Sequence, residues 1–345
     1  MNLQEFQQFF ADIFDKHLDT KIGSIKQIIQ SPQLHHWLDQ TKIICMSWWK
    51  RIRPYLVYTA YTGYSSQKHE EVMLLSMVTE LIHSLAIIFD DVIDLAHQRH
   101  NVQTLHEFLK PQTTNVHEAH MQAILISNYF YSRATELLYQ NDYFDFITLK
   151  RAAKHIHASL DAVMTWQIQD VILQKKTVVD ETLCLKKSFL KTASYTCVRP
   201  LLFWASLAID GTKELETLER LGEDLGIAYQ CMDDLWDVTG IHKDKQFMAD
   251  IVEWQQTLLS TYMFCHASDT HRQAYESYFG KNITEEQKQI IKQLLFDAWA
   301  IKHARAVTTK YIASARESLQ QLTMFDQQKQ YIADIIDLVE HKASQ

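Results

Sequence analysis

Two aspartate triplets of identical spacing are the residues in this sequence with the clearest potential for chemistry. They are Asp90, Asp91 and Asp94, and Asp233, Asp234 and Asp237. In a helix, the first and third members of each triplet lie one turn apart on the same face. The flanking residues are apolar, so the carboxylates cannot simply be solvated and need positive charge nearby. Mg²⁺ prefers oxygen ligands and is commonly held by carboxylates together with substrate phosphates, so the pattern predicts a site that binds a diphosphate through metal ions.

Long apolar helices must position these triplets. The 345-residue chain has only seven glycines and four prolines, which favours few turns and long helices. Periodicity predicts helices over 72–95, 119–139, 149–171, 188–207 and 215–238, of which the first and last carry the triplets. Pro54 suits the first turn of another helix that begins near Ile52.

No alternating strand pattern, internal repeat or linker divides the sequence. We therefore expect a single all-α domain, residues 1–345, in which a bundle of long helices surrounds a central cavity. The two triplets are expected to face each other across that cavity. Loops are predicted at 97–104, 110–115, 175–180 and 240–247.

Composition excludes several classes of protein. A formal net charge of −8 without a dense basic stripe argues against a nucleic-acid partner. The five cysteines are scattered and lack metal-ligand spacing, which favours reduced thiols. The N-terminus lacks the basic start and apolar run of a signal peptide, and no uninterrupted apolar run reaches the ~20 residues of a membrane span. A cytoplasmic protein without stable membrane insertion is expected.

Further motifs occur around the triplets in a fixed order. They are Lys50-Arg51-Ile52-Arg53-Pro54, Glu80-Leu81-Ile82-His83, Arg99 with Thr104, Gln167 with Asp170, Lys191-Thr192, and the run from Gly226 to Gln230. One triplet alone would carry little weight, because charged helix faces produce it by chance. The ordered set resembles the trans-isoprenyl diphosphate synthases, also called polyprenyl synthetases, over roughly residues 45–260. The resemblance implies the helical fold of isoprenoid synthases and a homodimer.

The resemblance also implies a reaction. Ionisation of an allylic diphosphate in the presence of Mg²⁺ gives a carbocation, which the double bond of isopentenyl diphosphate attacks to form a longer trans-prenyl diphosphate. Charge on the leaving diphosphate is stabilised by metals and fixed cations, and a water-poor pocket protects the carbocation.

The resemblance assigns roles to individual residues of this sequence. It implies direct ligation of about three Mg²⁺ ions by Asp90, Asp94 and Asp233, with Asp91, Asp234 and Asp237 as direct or indirect partners of the metals. It implies that Arg99 and Lys191 bind the allylic diphosphate. It places Thr192, Gln230 and Lys243 at the substrate site, and it gives isopentenyl diphosphate to Lys50, Arg53 and His83.

Departures from the family pattern fall mainly in the isopentenyl half. Trp48 and Trp49 replace two glycines that allow a close backbone approach to phosphate. His100, followed by Asn101, replaces a second arginine, so a permanent charge becomes a titratable one. Lys243 lies in a shortened loop after the second triplet.

A later Gly-Lys-x-Thr element reads Trp254-Gln255-Gln256-Thr257. These departures leave a second class open, in which the allylic cation goes to another acceptor, as in a terpene cyclase or a peptide prenyltransferase. A third hypothesis is a non-catalytic partner subunit, against which two complete triplets argue.

Residues one and two turns before Asp90 predict the length of the product. They are Leu85 and Ala86, then Ile82, then Val78 and Thr79. No Phe or Tyr blocks the first turn, so a product of about twenty carbons or longer is expected, provided that the cavity is open to that depth. Tyr129 or Phe130, from another helix, could still close the pocket.

Overall fold

The computed structural model describes residues 1–47, 50–99, 102–173, 180–240 and 247–344. Trp48, Trp49, His100, Asn101 and Lys243 lie outside the described residues, as do most of the predicted loops 175–180 and 240–247. Within the described ranges the chain is helical apart from two short antiparallel strands, β1 (Gln98–Arg99) and β2 (Val102–Gln103). The prediction of an all-α fold is confirmed.

The described residues form sixteen α-helices. Their bounds are α1 Leu3–Ile28, α2 Pro32–Met46, α3 Ile52–Thr62, α4 His69–Ile93, α5 Leu105–Leu109, α6 Val116–Tyr139, α7 Phe146–Leu173, α8 Glu181–Ser188, α9 Arg199–Ala208, α10 Thr212–Thr239, α11 Ala249–Val252, α12 Leu258–His266, α13 Asp269–Glu276, α14 Glu285–Asp297, α15 Ala300–Gln321 and α16 Asp326–Ser344. A 3₁₀ turn spans Lys110–Gln112, and a π-helical segment spans Phe189–Val198.

Two compact units, Met1–Ala153 and Lys154–Gln345, divide the chain, and the division falls within α7. Each unit is described by itself. The single-domain organisation and the facing of the two triplets therefore stay predictions.

One predicted helix differs in type. Periodicity predicted a continuous helix over 188–207, whereas this stretch contains the end of α8, the π-helical segment and then α9. Pro200 is the second residue of α9, which follows directly on the π-helical segment. Because proline has no N–H, it cannot continue the backbone hydrogen bonds of that segment. Periodicity did not reveal the π-helical segment, because six of its ten residues are buried and they lie on more than one face.

Unit 1 is built around α1, α3, α4 and α6. Phe6, Phe10 and Phe14 of α1 are fully buried and stack in series, and Phe6 packs edge-on against Tyr55 of α3. Phe9 is 48% exposed, because the buried stripe follows a strict four-residue spacing through Phe6, Phe10 and Phe14.

Helix α4 carries the first triplet and is apolar along almost its whole length. It is long and apolar enough to span a bilayer, but 78% of its most apolar window is buried inside the protein. Helix α4 therefore belongs to the core of unit 1. At its C-terminal end, Asp91 is buried in the protein.

Unit 2 is organised around α10, which packs against α15, the π-helical segment, α9 and α16. Two glycines on one face of α10 allow the closest of these contacts. A Cβ added to Gly222 would lie 2.7 Å from Cα of Val198, and one added to Gly226 would lie 2.3 Å from Cα of Ala193. Glycine at these positions lets the π-helical segment lie directly on the backbone of α10.

Candidate active site

The first triplet lies at the C-terminal end of α4. Asp90 and Asp94 are half-buried, whereas Asp91 is buried. Asp94 is the C-terminal cap of the helix, and its backbone N–H donates to the carbonyl of Asp90 at 2.8 Å. The accessible members are thus the two that share a face, as their spacing predicted.

Arg99, on β1, binds this triplet with two nitrogens. Its Nε donates to Oδ1 of Asp91 at 2.6 Å, and its Nη2 donates to Oδ2 of Asp90 at 2.8 Å. Burial raises the pKa of Asp91 to about 6, although the charge of Arg99 opposes that shift. Burial alone would lower the pKa of Arg99, but the Asp91 and Asp90 carboxylates raise it overall. Arg99 therefore stays positively charged and balances the negative charge of the neighbouring carboxylates.

Thr104 closes the hairpin that presents Arg99. Its hydroxyl donates to the carbonyl of Ala96 at 2.6 Å, and its backbone N–H donates to the carbonyl of His97 at 3.2 Å. Thr104 is buried. The Arg99–Thr104 spacing found in the sequence therefore has a structural cause, since the threonine fixes the turn from α4 into β1.

The basic segment, Lys50 to Arg53, leads into α3, which begins at Ile52 as predicted. Lys50 and Arg53 are half-buried, as is His83 on α4. Arg51 is buried and forms an ion pair with Glu80 of α4. All these groups belong to unit 1.

The second triplet lies near the end of α10. Asp233 is half-buried, and Asp234 and Asp237 are buried. Nε2 of Gln230 donates to Oδ1 of Asp234 at 2.7 Å, and the hydroxyl of Thr192 donates to Oε1 of Gln230. Burial and then the nearby Asp250 raise the pKa of Asp234, while Gln230 and Lys191 oppose the rise.

These contacts follow from the glycine face of α10. Gly222, Gly226, Gln230 and Asp234 recur every four residues and so lie on one face. The two glycines bring the π-helical segment close, and Gln230 and Asp234 then meet Thr192, which is buried in that segment. π-Helical turns often occur at functional sites. The structure thus brings Thr192, Gln230 and Asp234 together, as the motif order suggested.

Asp237 has a different role from the other acidic residues. Its Oδ1 and Oδ2 accept from the backbone N–H groups of Ala249, at 3.0 Å, and Asp250, at 3.2 Å. Its carbonyl accepts from the backbone N–H of Met248 at 3.0 Å. Asp237 therefore anchors the chain where it re-enters α11, and both its carboxylate oxygens are engaged.

Lys191 lies beside an aromatic ring. Its ammonium is 5.1 Å from the ring centroid of Trp166, which is 6% exposed. Trp166 immediately precedes Gln167 in the sequence. The indole face attracts the cation and restricts where the lysine can point. Trp236, in contrast, donates to the carbonyl of Lys342 at 2.8 Å and is a packing residue.

A buried network around Asp170 was missed by sequence reasoning. Lys187 lies 2.6 Å from Oδ1 of Asp170 and donates to Oε1 of Gln255 at 3.0 Å. All three side chains are buried. Gln255 stands at the lysine of the Gly-Lys-x-Thr element, and Lys187 supplies the cation beside Asp170. The only sequence signal for Lys187 was its position one helical turn before Lys191.

A narrow pocket in unit 1 lies among α1, α2, α4 and α6. Leu81, Tyr129 and Phe130 are among its lining residues. Leu81 precedes Asp90 by nine residues, or two and a half turns, and so points away from the Asp90 face. The pocket that Tyr129 and Phe130 line therefore lies beside the face of α4 that carries Leu81. That either residue closes the pocket beside the triplet stays a prediction.

The donor set of both triplets fits Mg²⁺. Asp90, Asp94 and Asp233 are half-buried, so their carboxylate oxygens remain accessible, and carboxylate oxygens are the ligands that Mg²⁺ prefers. Within the described ranges, no group of three or more histidine, cysteine, aspartate or glutamate side chains is arranged to hold a metal ion.

A helical chain with two aspartate triplets, each beside a half-buried cation, defines a protein of the isoprenoid synthase class. The chain belongs to the polyprenyl synthetase family, whose pattern it matches over residues 37–295. It is 24% identical to geranylgeranyl pyrophosphate synthase from Geoglobus acetivorans, over 79% of this chain and 80% of that one. It is 26% identical to geranylfarnesyl diphosphate synthase from Natronomonas pharaonis, over 84% and 85% of the two chains.

Solved structures share the fold. The crystal structure of geranylgeranyl pyrophosphate synthase from Corynebacterium glutamicum, complexed with isoprenyl diphosphate and magnesium, superposes with a TM-score of 0.91. The match covers 99% of this chain and all of that one at 22% sequence identity. The likeness supports the all-α fold over almost the whole length of the chain.

Proposed function

We propose that this protein is a trans-prenyltransferase that condenses an allylic diphosphate with isopentenyl diphosphate. The observation that carries the proposal is the cluster of Asp90, Asp91 and Arg99. In this cluster two carboxylates bind the same guanidinium at the C-terminal end of the apolar helix α4. Family membership and the names of the relatives favour chain elongation over a cyclase or a peptide prenyltransferase.

Mg²⁺ would be held by Asp90, Asp94 and Asp233, with about three ions at a complete site. The burial pattern supports this assignment, because these three aspartates are half-buried and the other three are buried. When bound, the metal supplies positive charge to the leaving diphosphate. Asp91 binds Arg99 and Asp234 binds Gln230, so these two residues position groups next to the metal ligands. Asp237 holds the start of α11 through two backbone N–H groups.

The side chains of the protein perform the remaining work. The positive charges of Arg99 and Lys191 stabilise the negative charge that develops on the diphosphate as the allylic C–O bond breaks. The buried apolar length of α4 excludes water from the cation that results. Lys50, Arg53 and His83 hold isopentenyl diphosphate, whose double bond forms the new C–C bond. The proton that is then lost goes to the departing diphosphate.

A product of about C20 to C25 follows from the relatives' names, geranylgeranyl and geranylfarnesyl diphosphate synthase. The chain's own residues agree with it. Ala86, one turn before Asp90, is small, and Ile82 and Thr79 follow without an aromatic side chain. A growing chain therefore meets no ring on this face of α4 for about three turns.

A homodimer in the cytoplasm completes the proposal. The outer face of α6 exposes Met121, Leu125 and Tyr139, which is the kind of apolar helix face that a second copy covers. Four of the five cysteines, Cys45, Cys184, Cys197 and Cys231, are buried, which favours the reduced thiols of a reducing compartment.

Product analysis tests the function directly. The enzyme is incubated with farnesyl diphosphate and Mg²⁺, with and without isopentenyl diphosphate, and the products are separated by chain length after removal of phosphate. We expect a linear C20 or C25 alcohol only when isopentenyl diphosphate is present. Consumption of farnesyl diphosphate alone, with a cyclic hydrocarbon as product, would overturn the proposal.

A further inference from the structure

A buried ion pair joins the basic segment to α4. Nη1 of Arg51 lies 2.5 Å from Oε2 of Glu80, and the two residues are 3% and 2% exposed. Nη2 of Arg51 also donates to the carbonyl of Cys45, at the end of α2, at 3.1 Å. The guanidinium lies 5.9 Å and 5.1 Å from the ring centroids of Phe10 and Phe14. One side chain therefore contacts α1, α2 and α4.

The backbone at Arg51 is held in an unusual conformation. Its φ of +46° and ψ of +32° lie in the left-handed region, which a residue with a Cβ rarely adopts. The preceding carbonyl, that of Lys50, accepts from Nε2 of Gln7 on α1 at 2.8 Å. Such a conformation persists where the surroundings determine it, and they often do so at functional sites.

Stability alone does not explain a buried ion pair. Removing two charges from water is costly, and apolar side chains of similar size often stabilise a core as well or better. An ion pair does fix direction, because guanidinium and carboxylate groups attract at defined angles. Here Arg51 lies between Lys50 and Arg53 in the sequence, and Glu80 lies three residues before His83. The ion pair therefore links the backbone beside the two basic residues to the backbone beside the histidine.

We propose that the Arg51–Glu80 pair is a positioning device that sets Lys50 and Arg53 against His83. In this role Arg51 contacts no substrate. It holds the left-handed turn that aims its two basic neighbours, and Glu80 ties that turn to the helix that carries His83 and the first triplet. The inference rests on the proposed function, since it assigns the device to the isopentenyl diphosphate site.

The double variant Arg51→Met/Glu80→Leu separates positioning from stability. It replaces the pair by apolar side chains, so we expect the thermal midpoint to be unchanged or higher. We expect KM for isopentenyl diphosphate to rise by about tenfold or more, because misplaced cations lose charge-assisted contacts. KM for the allylic substrate and kcat at saturation should change less than about threefold, within the scatter of a distant substitution.

Two matched variants accompany it. Lys21→Met/Glu136→Leu removes the Lys21–Glu136 ion pair of unit 1 and, with it, the contact of Glu136 to Arg133. Neither contact involves the basic segment, so both KM values should stay unchanged. Gln7→Leu removes only the hydrogen bond to the carbonyl of Lys50 and should raise KM for isopentenyl diphosphate by roughly threefold. This second variant decides the question if the double variant does not fold.

The outcomes are separable. A folded double variant with unchanged KM for isopentenyl diphosphate overturns the proposal, as does an unchanged KM in Gln7→Leu if that is the variant that folds. Equal increases in both KM values also overturn it, because they indicate general loosening. A wild-type enzyme that consumes the allylic substrate without isopentenyl diphosphate refutes the proposed function instead, and it does so before any variant is measured.

Discussion

Arg99 and Asp91 form a charge-assisted hydrogen bond of 2.6 Å at the end of α4, and the same guanidinium reaches Asp90 at 2.8 Å. The cation expected to bind the substrate diphosphate therefore neutralises two carboxylates of the triplet first. We therefore expect Arg99 to exchange Asp90 for the substrate diphosphate, which would release the Asp90 oxygens for a metal.

Arg99→Gln tests this exchange without measuring activity. The substitution frees Asp90 and leaves the cluster more negative, so Mn²⁺ should bind about tenfold more tightly in the absence of diphosphate. Electron paramagnetic resonance of free Mn²⁺ provides the measurement. Arg99→Lys should fall between the two, because lysine keeps the charge and loses the fork. Equal Mn²⁺ affinity in wild type and Arg99→Gln would show that the arginine does not compete.

Asp90→Ala or Asp233→Ala should lower turnover by roughly a hundredfold or more, because the stabilisation of the leaving diphosphate depends on these ligands. For Asp90→Ala, repulsion with Asp91 is relieved and the Arg99 contact is lost, so we expect the free energy of unfolding to change by less than about 1 kcal/mol. Asp39→Ala, at an exposed ion pair with Lys26, is the matched control. Near-normal turnover in either triplet variant would exclude the metal assignment.

Gly226→Ala should separate α10 from the π-helical segment. The new Cβ would lie 2.3 Å from Cα of Ala193, so backbone must move, at a cost of about 1–3 kcal/mol in unfolding free energy. The Thr192–Gln230 contact should weaken and kcat should fall with stability. Gly23→Ala, in an open position of α1, should instead stabilise by about 0.5–1 kcal/mol. Urea denaturation of both variants compares them, and equal effects would contradict the close packing.

Trp166→Leu should loosen Lys191. Loss of the cation–π contact removes about 0.5–2 kcal/mol of restraint, or roughly two- to thirtyfold in affinity for the allylic diphosphate. Trp166→Phe keeps a ring beneath the ammonium and should retain most of the affinity. The measurement is KM for farnesyl diphosphate against KM for isopentenyl diphosphate. If leucine and phenylalanine behave alike, the ring acts only as packing.

His155 makes stability depend on pH. Burial, then Lys154 and Arg199, lower the pKa of His155 to about 3, and its Nε2 lies 3.3 Å from the hydroxyl of Ser206. Below its reference pKa of about 6.5 the unfolded chain takes up a proton that the folded chain refuses. The stabilising contribution is therefore complete above that pH and is lost as pH falls toward 3.

His155→Gln should remove this dependence while keeping a partner for Ser206. Between pH 6 and pH 4, the unfolding free energy of wild type should fall relative to the variant by roughly 1.4 kcal/mol per pH unit. Urea denaturation at three pH values measures it. Parallel curves for the two proteins would mean that His155 is not held neutral in the fold.

The sequence determined the helices, the triplets and the order of the motifs, because periodicity, low glycine content and fixed spacing are local properties. It placed Asp90 with Asp94 and Asp233 with Asp237 on common faces. The order of the motifs also indicated that Arg99, Lys191, Thr192 and Gln230 belong to the substrate site. These relationships are short-range or follow from motifs, so they can be inferred without knowing how the helices pack.

Only the tertiary structure decided which groups are buried together. The Arg51–Glu80 pair, Lys187 beside Asp170, Trp166 beneath Lys191 and the capping of α11 by Asp237 join residues distant in sequence or change a role that a motif assigned. Such contacts depend on how helices approach, which Gly222 and Gly226 control through missing side chains. The lack of a Cβ at a glycine produces no periodic pattern in the sequence. The residues that these close contacts bring together could therefore be identified only from the packing of the helices.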